Sequence, residues 1–305
     1  MDLRQLEYVI AVVDEGGFTR AARSVHVSQP ALSQAVRSLE RDLGVELFNR
    51  SGRTVALTSA GEALLGPARQ ALRDARSARE AIDEVKGLTA GRLDLVCLAT
   101  LAVDPVAGLV GAFRRRHPGV RVRIEEPGDA GAALTAVRDG SAEIAVTDLG
   151  DDLSGLLSIE MSTQEMVVLV PDSLMDGLSS AATTSGSIDL AALADLPIVA
   201  PPPGTSVRRL LDETLAGIGR YPDVVVETAH RETIGPLVRA GAGAAVLPAG
   251  MEPAAIGVDG SVRVLALDPP IRRRVGAVHR DAALSPAARS FLEVLHGSSA
   301  THVPA

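Results

Sequence analysis

The chain has 305 residues and contains one cysteine, no tryptophan, two tyrosines, four phenylalanines and a single lysine, Lys86. With Cys97 alone, no disulfide and no thiolate metal cluster can form within one chain, which suits a reducing cytosol. The thiol stands in the apolar run Leu95-Val96-Cys97-Leu98 and reads as a buried structural cysteine rather than a redox sensor. The six histidines lack ligand spacing, so no metal is expected. There is no Gly-x-Ser-x-Gly elbow, no His-Glu-x-x-His pair and no phosphate loop ending in Gly-Lys-Ser/Thr, so neither an enzyme nor a cofactor is predicted. Gly241-Ala242-Gly243 is too short for a dinucleotide fingerprint and predicts a tight helix-to-strand turn. The apolar stretch 95–103 is cut by Asp104 and Pro105 before it could span a bilayer, and the start Met1-Asp2-Leu3-Arg4-Gln5 does not read as a secretory signal. The expectation is a soluble cytoplasmic protein with no membrane partner.

What is present is a 46% apolar composition, enough for real cores, and a net charge of −8, which excludes a globally basic nucleic-acid binder. The charge is uneven. Residues 1–91 balance 12 basic against 12 acidic side chains, while 92–305 carry 18 against 26. Within the first part, Arg20 to Arg53 holds six arginines against Glu40, Asp42 and Glu46, a local cationic patch of the kind phosphates require. The excess of arginine over lysine is most simply a trace of genomic base composition.

Leu3, Leu6, Val9, Ile10 and Val13 recur at helical spacing up to Gly16-Gly17. Thr19 is positioned to cap a second, short helix with paired alanines, Ala21-Ala22, and the turn Val25-His26-Val27 follows. A third helix then opens with Ser28 as N-cap and Pro30 in the first turn and runs to Gly44, with Leu32, Val36, Leu39 and Leu43 inward. Two helices across a tight turn, the second opening with amide and hydroxyl side chains, form the geometry that seats a helix in the major groove. The segment 45–58 reads as a hairpin with Ser51-Gly52 at its tip between Arg50 and Arg53.

The run Phe18-Thr19-Arg20-Ala21-Ala22-Arg23, Ser28-Gln29-Pro30-Ala31-Leu32-Ser33-Gln34, Leu43-Gly44-Val45-Glu46-Leu47-Phe48-Asn49-Arg50 and Leu57-Thr58-Ser59-Ala60-Gly61 resembles the winged helix-turn-helix of LysR-type transcriptional regulators, without a gap over 1–65. The resemblance implies that Gln29, Pro30 and Ser33 face base edges and that Gln34 and Arg37 reach bases or nearby backbone. It places Arg50 and Arg53 at the minor groove and Ser28 and Thr58 at phosphates. Many family members carry Arg or Lys where this chain has Gln34. For Arg37 and Arg41 the alternative is intrahelical pairing with carboxylates.

From Thr58 a capped helix is predicted to continue to Lys86. Leu64, Ala68, Ala71, Ala75, Ala78, Ile82 and Val85 step by four and three along it, a heptad seam that predicts a dimer. The alternative is a helix packed on its own domain. A dimer would read two half-sites of an interrupted palindrome.

Beyond 87–91 the pattern changes to short β-branched runs alternating with helical stretches: strands at 93–98, 120–124 and 144–146 with helices at 106–116 and 130–139. A second series follows, with strands at 166–170, 198–200, 224–227 and 244–247 and helices at 207–218 and 233–240. A return through 262–267 leads to a final helix at 286–295. Two α/β lobes joined by two crossings leave a cleft between them. The stretch 177–187 reads as a mobile surface loop.

Segments such as Phe113-Arg114-Arg115-Arg116-His117-Pro118, Gly140-Ser141-Ala142-Glu143-Ile144-Ala145-Val146 and Gly204-Thr205-Ser206 resemble the effector-binding region of the same family, more loosely, over about 92–296. The fold class implied is α/β overall: an N-terminal winged helix-turn-helix (1–58), a dimerising linker helix (59–89), and a two-lobed domain of periplasmic-binding-protein type. Its lobe I comprises 92–162 and 266–296, and lobe II 163–265. By position, Thr100, Thr147, Pro203, Gly204, Thr205 and His230 would line the cleft. Hydroxyls and helix N–H groups there suit a carboxylate. Asp129, where small-carboxylate binders often have Ser or Thr, and Asp104 depart from that pattern and point to an effector bearing donor groups or a positive centre. The alternative for Asp104-Pro105 is an N-cap with proline at N1, and for Asp129 a solvated turn. The function implied is a ligand-responsive regulator that binds double-stranded DNA as a homodimer or homotetramer and changes DNA bend or occupancy with a small-molecule effector, with RNA polymerase as a further partner. The rival reading is a cytoplasmic small-molecule-binding or enzymatic α/β protein whose N-terminal helices mediate protein contacts.

Overall fold

The structure, a computed structural model, describes residues 1–49, 55–85, 91–150, 152–175, 178, 183–184, 186–252, 260–282 and 284–299. Arg50, Arg53, the hairpin tip between them, and Lys86 lie outside the described residues.

Helix α1 (Leu3–Asp14) is closed by a capping box: the Asp2 carboxylate accepts from Gln5 N, and the Gln5 side chain accepts from Asp2 N. Helix α2 (Phe18–Ser24) starts two residues earlier than expected, with Gly17 at the N-cap, so Thr19 lies inside the first turn and caps nothing. The turn to α3 (Gln29–Leu43) passes through His26 at φ 54. Ser28 caps α3 through Oγ to Ala31 N at 3.3 Å, and Gly44 ends it in the left-handed region at φ 72. Leu32, Val36 and Leu39 are fully buried, but Leu43 is 39% exposed: its side chain lies past the rim of the three-helix core.

Strands β1 (Phe48–Asn49) and β2 (Ala56–Leu57) pair antiparallel as the base of the wing. Glu40, buried on α3, accepts through Oε1 from Leu47 N at 3.0 Å and Phe48 N at 3.4 Å, which fixes where the hairpin leaves the helix. Helix α4 (Ser59–Val85) follows directly. Thr58 Oγ1 donates to Glu46 O at 2.7 Å and accepts from Gly61 N at 3.1 Å, so one hydroxyl closes the hairpin and caps the helix. A Cβ at Gly61 would overlap the Leu47 carbonyl, so this contact of α4 with the hairpin requires glycine.

The seam of α4 is divided between uses. Ala68 is buried in the helix-turn-helix core, and Leu64 and Ala71 pack against the same core. These three positions serve this chain's own domain, because the α1 surface offers α4 an apolar groove. Ala78 and Ile82 are exposed, Ile82 by 57%.

Lobe I is built from β3 (Gly91–Cys97), α5 (Ala99–Leu101), a wide turn at Ala102–Val106, α6 (Ala107–Arg116), β4 (Val120–Glu125), α7 (Ala130–Arg138) and β5 (Ile144–Asp148). Strand β6 (Leu156–Pro171) then runs through both lobes. Lobe II continues with α8 (Asp172–Met175), β7 (Thr183–Thr184), β8 (Ser187–Asp189), α9 (Leu190–Ala194), β9 (Pro197–Ala200) and α10 (Ser206–Ala216). After these come β10 (Asp223–Glu227), α11 (Ile234–Arg239), β11 (Ala245–Pro248) and β12 (Val262–Asp268). The chain returns to lobe I through β13 (Arg272–Arg280) and ends in α12 (Pro286–Ser299).

In lobe I the order is β4-β3-β5-β13-β6, with β3, β4 and β5 parallel and β13 antiparallel to both its neighbours. In lobe II the second half of β6 pairs with β11 and β12, and β12 pairs parallel with β8. The crossings fall at Gln164–Met166, where β6 changes partners, and between β12 and β13, where Met166 N donates to Ile271 O at 2.9 Å. The return crossing therefore lies beyond Asp268 rather than at 265/266, because β12 keeps its lobe II pairing to that residue. Several regular elements go beyond the sequence reading, among them β13, the first half of β6, α8, β8 and α9. Residues 183–184 of the expected loop also form a strand with β8.

Each lobe has its own core. Phe113 and Phe291 meet edge to face at 5.7 Å in lobe I, and Val168, Ile188, Leu193, Ile198 and Leu215 are fully buried together in lobe II. Gly243 permits β11 to lie against β9: its φ is +154 and a Cβ would stand 2.6 Å from Pro197 O. This is the tight turn expected of Gly241-Ala242-Gly243.

Candidate nucleic-acid interface and interlobe cleft

The exposed face of α3 carries Gln29, Pro30, Gln34, Arg37 and Arg41, with Ser33 half-buried among them. Together with Val45 and Glu46 they border one broad open groove beside the wing. Gln29 Nε2 donates to Ser33 Oγ at 2.9 Å, which holds the amide along the helix. Arg41 Nε donates to Arg37 O at 3.4 Å, and neither arginine forms an ion pair with a carboxylate among the described residues. The alternative of intrahelical carboxylate pairing is thus not what this structure holds. A cationic rim beside neutral amides and hydroxyls can meet a phosphate backbone while presenting donors and acceptors to base edges. Ser28 and Thr58, expected at phosphates, use their side chains as helix caps.

Linker helix and lobe I also touch. Arg69 pairs with Asp14 of α1 and, at 3.1 Å, with Asp139 after α7. Arg73 bonds the Gly140 carbonyl, and Arg73 and Arg280 both donate to Gln70 Oε1, at 2.9 and 2.7 Å. Burial, and then the neighbouring Arg280, lower the Arg73 pKa to about 10.

The interlobe cleft is organised around a buried guanidinium. Arg273, on the inward side of β13, is 5% exposed. It donates to Thr100 Oγ1 at 2.8 Å, to Ser206 Oγ at 2.8 Å and to Gln164 Oε1 at 2.8 and 3.1 Å, and it lies 3.4 Å from Asp148 Oδ1. Ser206, the first residue of α10, donates to Asp148 Oδ2. Burial pulls the Arg273 pKa below its ordinary value, and the Asp148 charge opposes that shift. This network joins lobe I, the crossing strand and lobe II.

Beside it lies an apolar cavity of about 100 Å³. Thr100, Thr205 and Arg231 supply its polar atoms, and Leu169, Pro201, Val207, Ile234, Val246 and Met251 form most of its walls. Burial depresses the Arg231 pKa, and the nearest carboxylate, Glu126, stands 3.6 Å away and is 61% exposed.

The structure thus brings Thr100 and Thr205 of the expected residues to one cavity. Pro203 and Gly204 form the exposed turn before α10, with Gly204 at φ +88. Thr147 is fully buried, its hydroxyl without a hydrogen-bond partner. The His230 side chain is 77% exposed and points to Glu232 at 3.6 Å; its neighbour Arg231 is the one that lines the cavity. Asp129 caps α7 through Ala132 N at 2.7 Å, and Asp104 is exposed, in the turn before α6 and without a side-chain cap, so the N-cap reading of Asp104-Pro105 does not hold. With neither carboxylate lining the cavity, the expectation of an effector bearing donor groups or a positive centre loses its basis; the charged group lining it is Arg231. Sequence reasoning missed Asp148, Gln164, Ser206, Arg231 and Arg273. The available signal was a lone carboxylate ending the apolar strand 144–148.

Cys97 is fully buried, and burial pushes its thiol up to about 12, so it is protonated at neutral pH. Among the described residues no group of three or more His, Cys, Asp or Glu side chains is arranged to hold a metal ion, and no helix is long and apolar enough to cross a membrane.

Two family models cover this architecture: the bacterial regulatory helix-turn-helix of the lysR family matches 3–62, and the LysR substrate binding domain matches 86–300. The chain belongs to the LysR family of transcriptional regulators. It is 30% identical to the transcriptional activator IlvY of Salmonella typhimurium over 248 residues, 81% of this chain and 82% of that one. To the regulator IlvY of Escherichia coli it is 36% identical over 174 residues, 57% of this chain and 58% of that protein. The regulator IlvR of Caulobacter vibrioides matches at 29% over 97% of both chains. Among solved structures, full-length OxyR of Pseudomonas aeruginosa superposes with a TM-score of 0.73 at 28% identity, covering 98% of this chain and 94% of that one. A full-length CbnR complexed with its target DNA shares the fold, with a TM-score of 0.62 at 22% identity, covering 98% and 100%. This LysR-type chain is a DNA-binding regulator with an effector-binding domain; its named relatives are regulators of transcription, which leaves the rival reading without support.

Proposed function

We propose that the protein binds an interrupted palindromic operator as a homodimer or homotetramer in the cytoplasm, with α3 in the major groove and the wing against the adjacent minor groove. A small effector in the interlobe cleft then changes DNA bend or occupancy, and RNA polymerase is the partner that reads the change. The observation that carries this reading is the face of α3, where Arg37 and Arg41 have no carboxylate partner among the described residues and flank Gln29, Ser33 and Gln34. Gln29, Ser33, Gln34 and Arg37 are the base-reading candidates, and Arg50 and Arg53 the minor-groove ones. On α4 the exposed Ala78 and Ile82, with the half-buried Ala75, support the dimer contact. In the cleft, one half-buried guanidinium, two threonines and apolar walls favour a small organic acid with a compact hydrocarbon body.

The test is fluorescence anisotropy of the full chain on duplex DNA from upstream of its own gene, beside a shuffled duplex, at two salt concentrations. Preference for the native duplex, weakened by salt and lost in Gln29→Ala, is the expected result. Equal binding of both duplexes, there and at a panel of other promoters, would overturn the reading. A panel of branched short-chain acids then tests the cleft: the responding acid should lose its effect on DNA binding in Arg231→Gln.

A further inference from the structure

The interlobe cleft contains an anion that belongs to the chain itself. Asp148, at the end of β5, is 7% exposed and faces the start of α10 across the cleft. Its Oδ2 accepts from Ser206 Oγ and lies 3.8 Å from Arg209 Nη2, and its Oδ1 is 3.4 Å from Arg273 Nη1. A helix N-terminus that presents a hydroxyl beside a buried guanidinium is what an oxyanion from solution would seek. Here that position is filled by a tethered carboxylate at effectively saturating local concentration. A second anion arriving there would meet Asp148 in a water-poor setting, where like charges repel strongly. The cation that lines the apolar cavity is Arg231, with the largely exposed Glu126 3.6 Å away.

We infer that Asp148 is a specificity-determining residue of the cleft: it occupies the oxyanion position between Ser206 and Arg273, so that an acidic effector places its charge on Arg231 and its body against the apolar walls. The inference rests on the reading of this cleft as the effector site. It also makes a separate prediction: with the Asp148 charge removed, Ser206 and Arg273 become a site for an external oxyanion.

Inorganic sulfate is the probe, titrated calorimetrically into the full chain without DNA or effector. Asp148→Asn should bind sulfate at least tenfold more tightly than the wild type, and Asp148→Asn combined with Arg273→Gln should return to the wild-type level. Asp148→Ser, which also removes the charge and puts a hydroxyl oxygen in place of the carboxylate, gives a second route to the same gain should the amide variant not fold by circular dichroism. No gain in a folded variant overturns the inference, as does a gain that survives Arg273→Gln. Because sulfate binding is read without DNA, these failures are distinct from failure of the effector reading, which would appear as a sulfate gain with no acid altering operator binding.

Discussion

The arginines of the two candidate faces are held in opposite ways. On α3, Arg37 and Arg41 project from an exposed helix face, with one backbone carbonyl between them and no carboxylate among the described residues. In the cleft, Arg273 is almost wholly buried and is given oxygen partners from Thr100, Asp148, Gln164 and Ser206. The difference follows from solvation. An exposed guanidinium stays in water until a polyanion displaces its counterions, and it costs the fold almost nothing. A buried one is tolerated only when the chain supplies its partners. A cation meant for an external ligand can therefore be left open at a surface, whereas in a closing cleft it tends to be claimed by the protein first.

This contrast can be broken most forcefully at Arg273. Arg273→Leu leaves the buried Asp148 carboxylate with only the more exposed Arg209, 3.8 Å away, and is expected to destabilise the effector-binding domain by about 3–5 kcal/mol, read as a fall in melting temperature; an unchanged melt would mean the network is not closed in solution. The N-terminal unit is most sensitive at a steric point rather than an ionic one. Gly61→Ala should cost about 1–3 kcal/mol by forcing α4 away from the Leu47 carbonyl, visible as earlier loss of helical signal in denaturant. Arg37→Ala should weaken operator binding about tenfold, or about 1.4 kcal/mol, and flatten its salt dependence, with stability unchanged; an unaltered affinity would remove Arg37 from the interface. The smallest effect sharpens the comparison most. Arg41→Gln should shift stability by less than about 0.5 kcal/mol, and a large drop in its melting temperature would show that the α3 arginines are structural after all.

The N-terminal unit was legible because its signals are local. Ser28 and Gly44 bracket α3, and Leu32, Val36 and Leu39 mark its inner stripe at helical spacing. The α4 seam was legible as a seam but not in its use, since a four-three repeat reads alike whether its partner lies in the same chain, as for Leu64, Ala68 and Ala71, or in another. The cleft was least legible. Its central pair, Asp148 and Arg273, is contributed by antiparallel neighbours β5 and β13, far apart in sequence, and β13 begins with three arginines that conceal its inward alternation. Asp129 and Asp104 misled for the complementary reason: a carboxylate near a cleft in sequence gains more from a free backbone N–H, as Asp129 does, or from water than from facing a ligand.

The two small fastenings at the base of the wing have a consequence for how the protein reads DNA. Glu40 ties β1 to the body of α3, and Thr58 ties the end of the hairpin to the carbonyl of Glu46 while starting α4. The spacing between recognition helix and wing base is thereby set before any duplex arrives. The entropy of arranging them is lost during folding rather than on the operator. Recognition helix and wing base therefore meet a duplex as one preset unit. On the proposed palindromic reading, adjustment to half-site spacing comes from beyond α4, and the tolerance of the operator lies between its half-sites rather than within them.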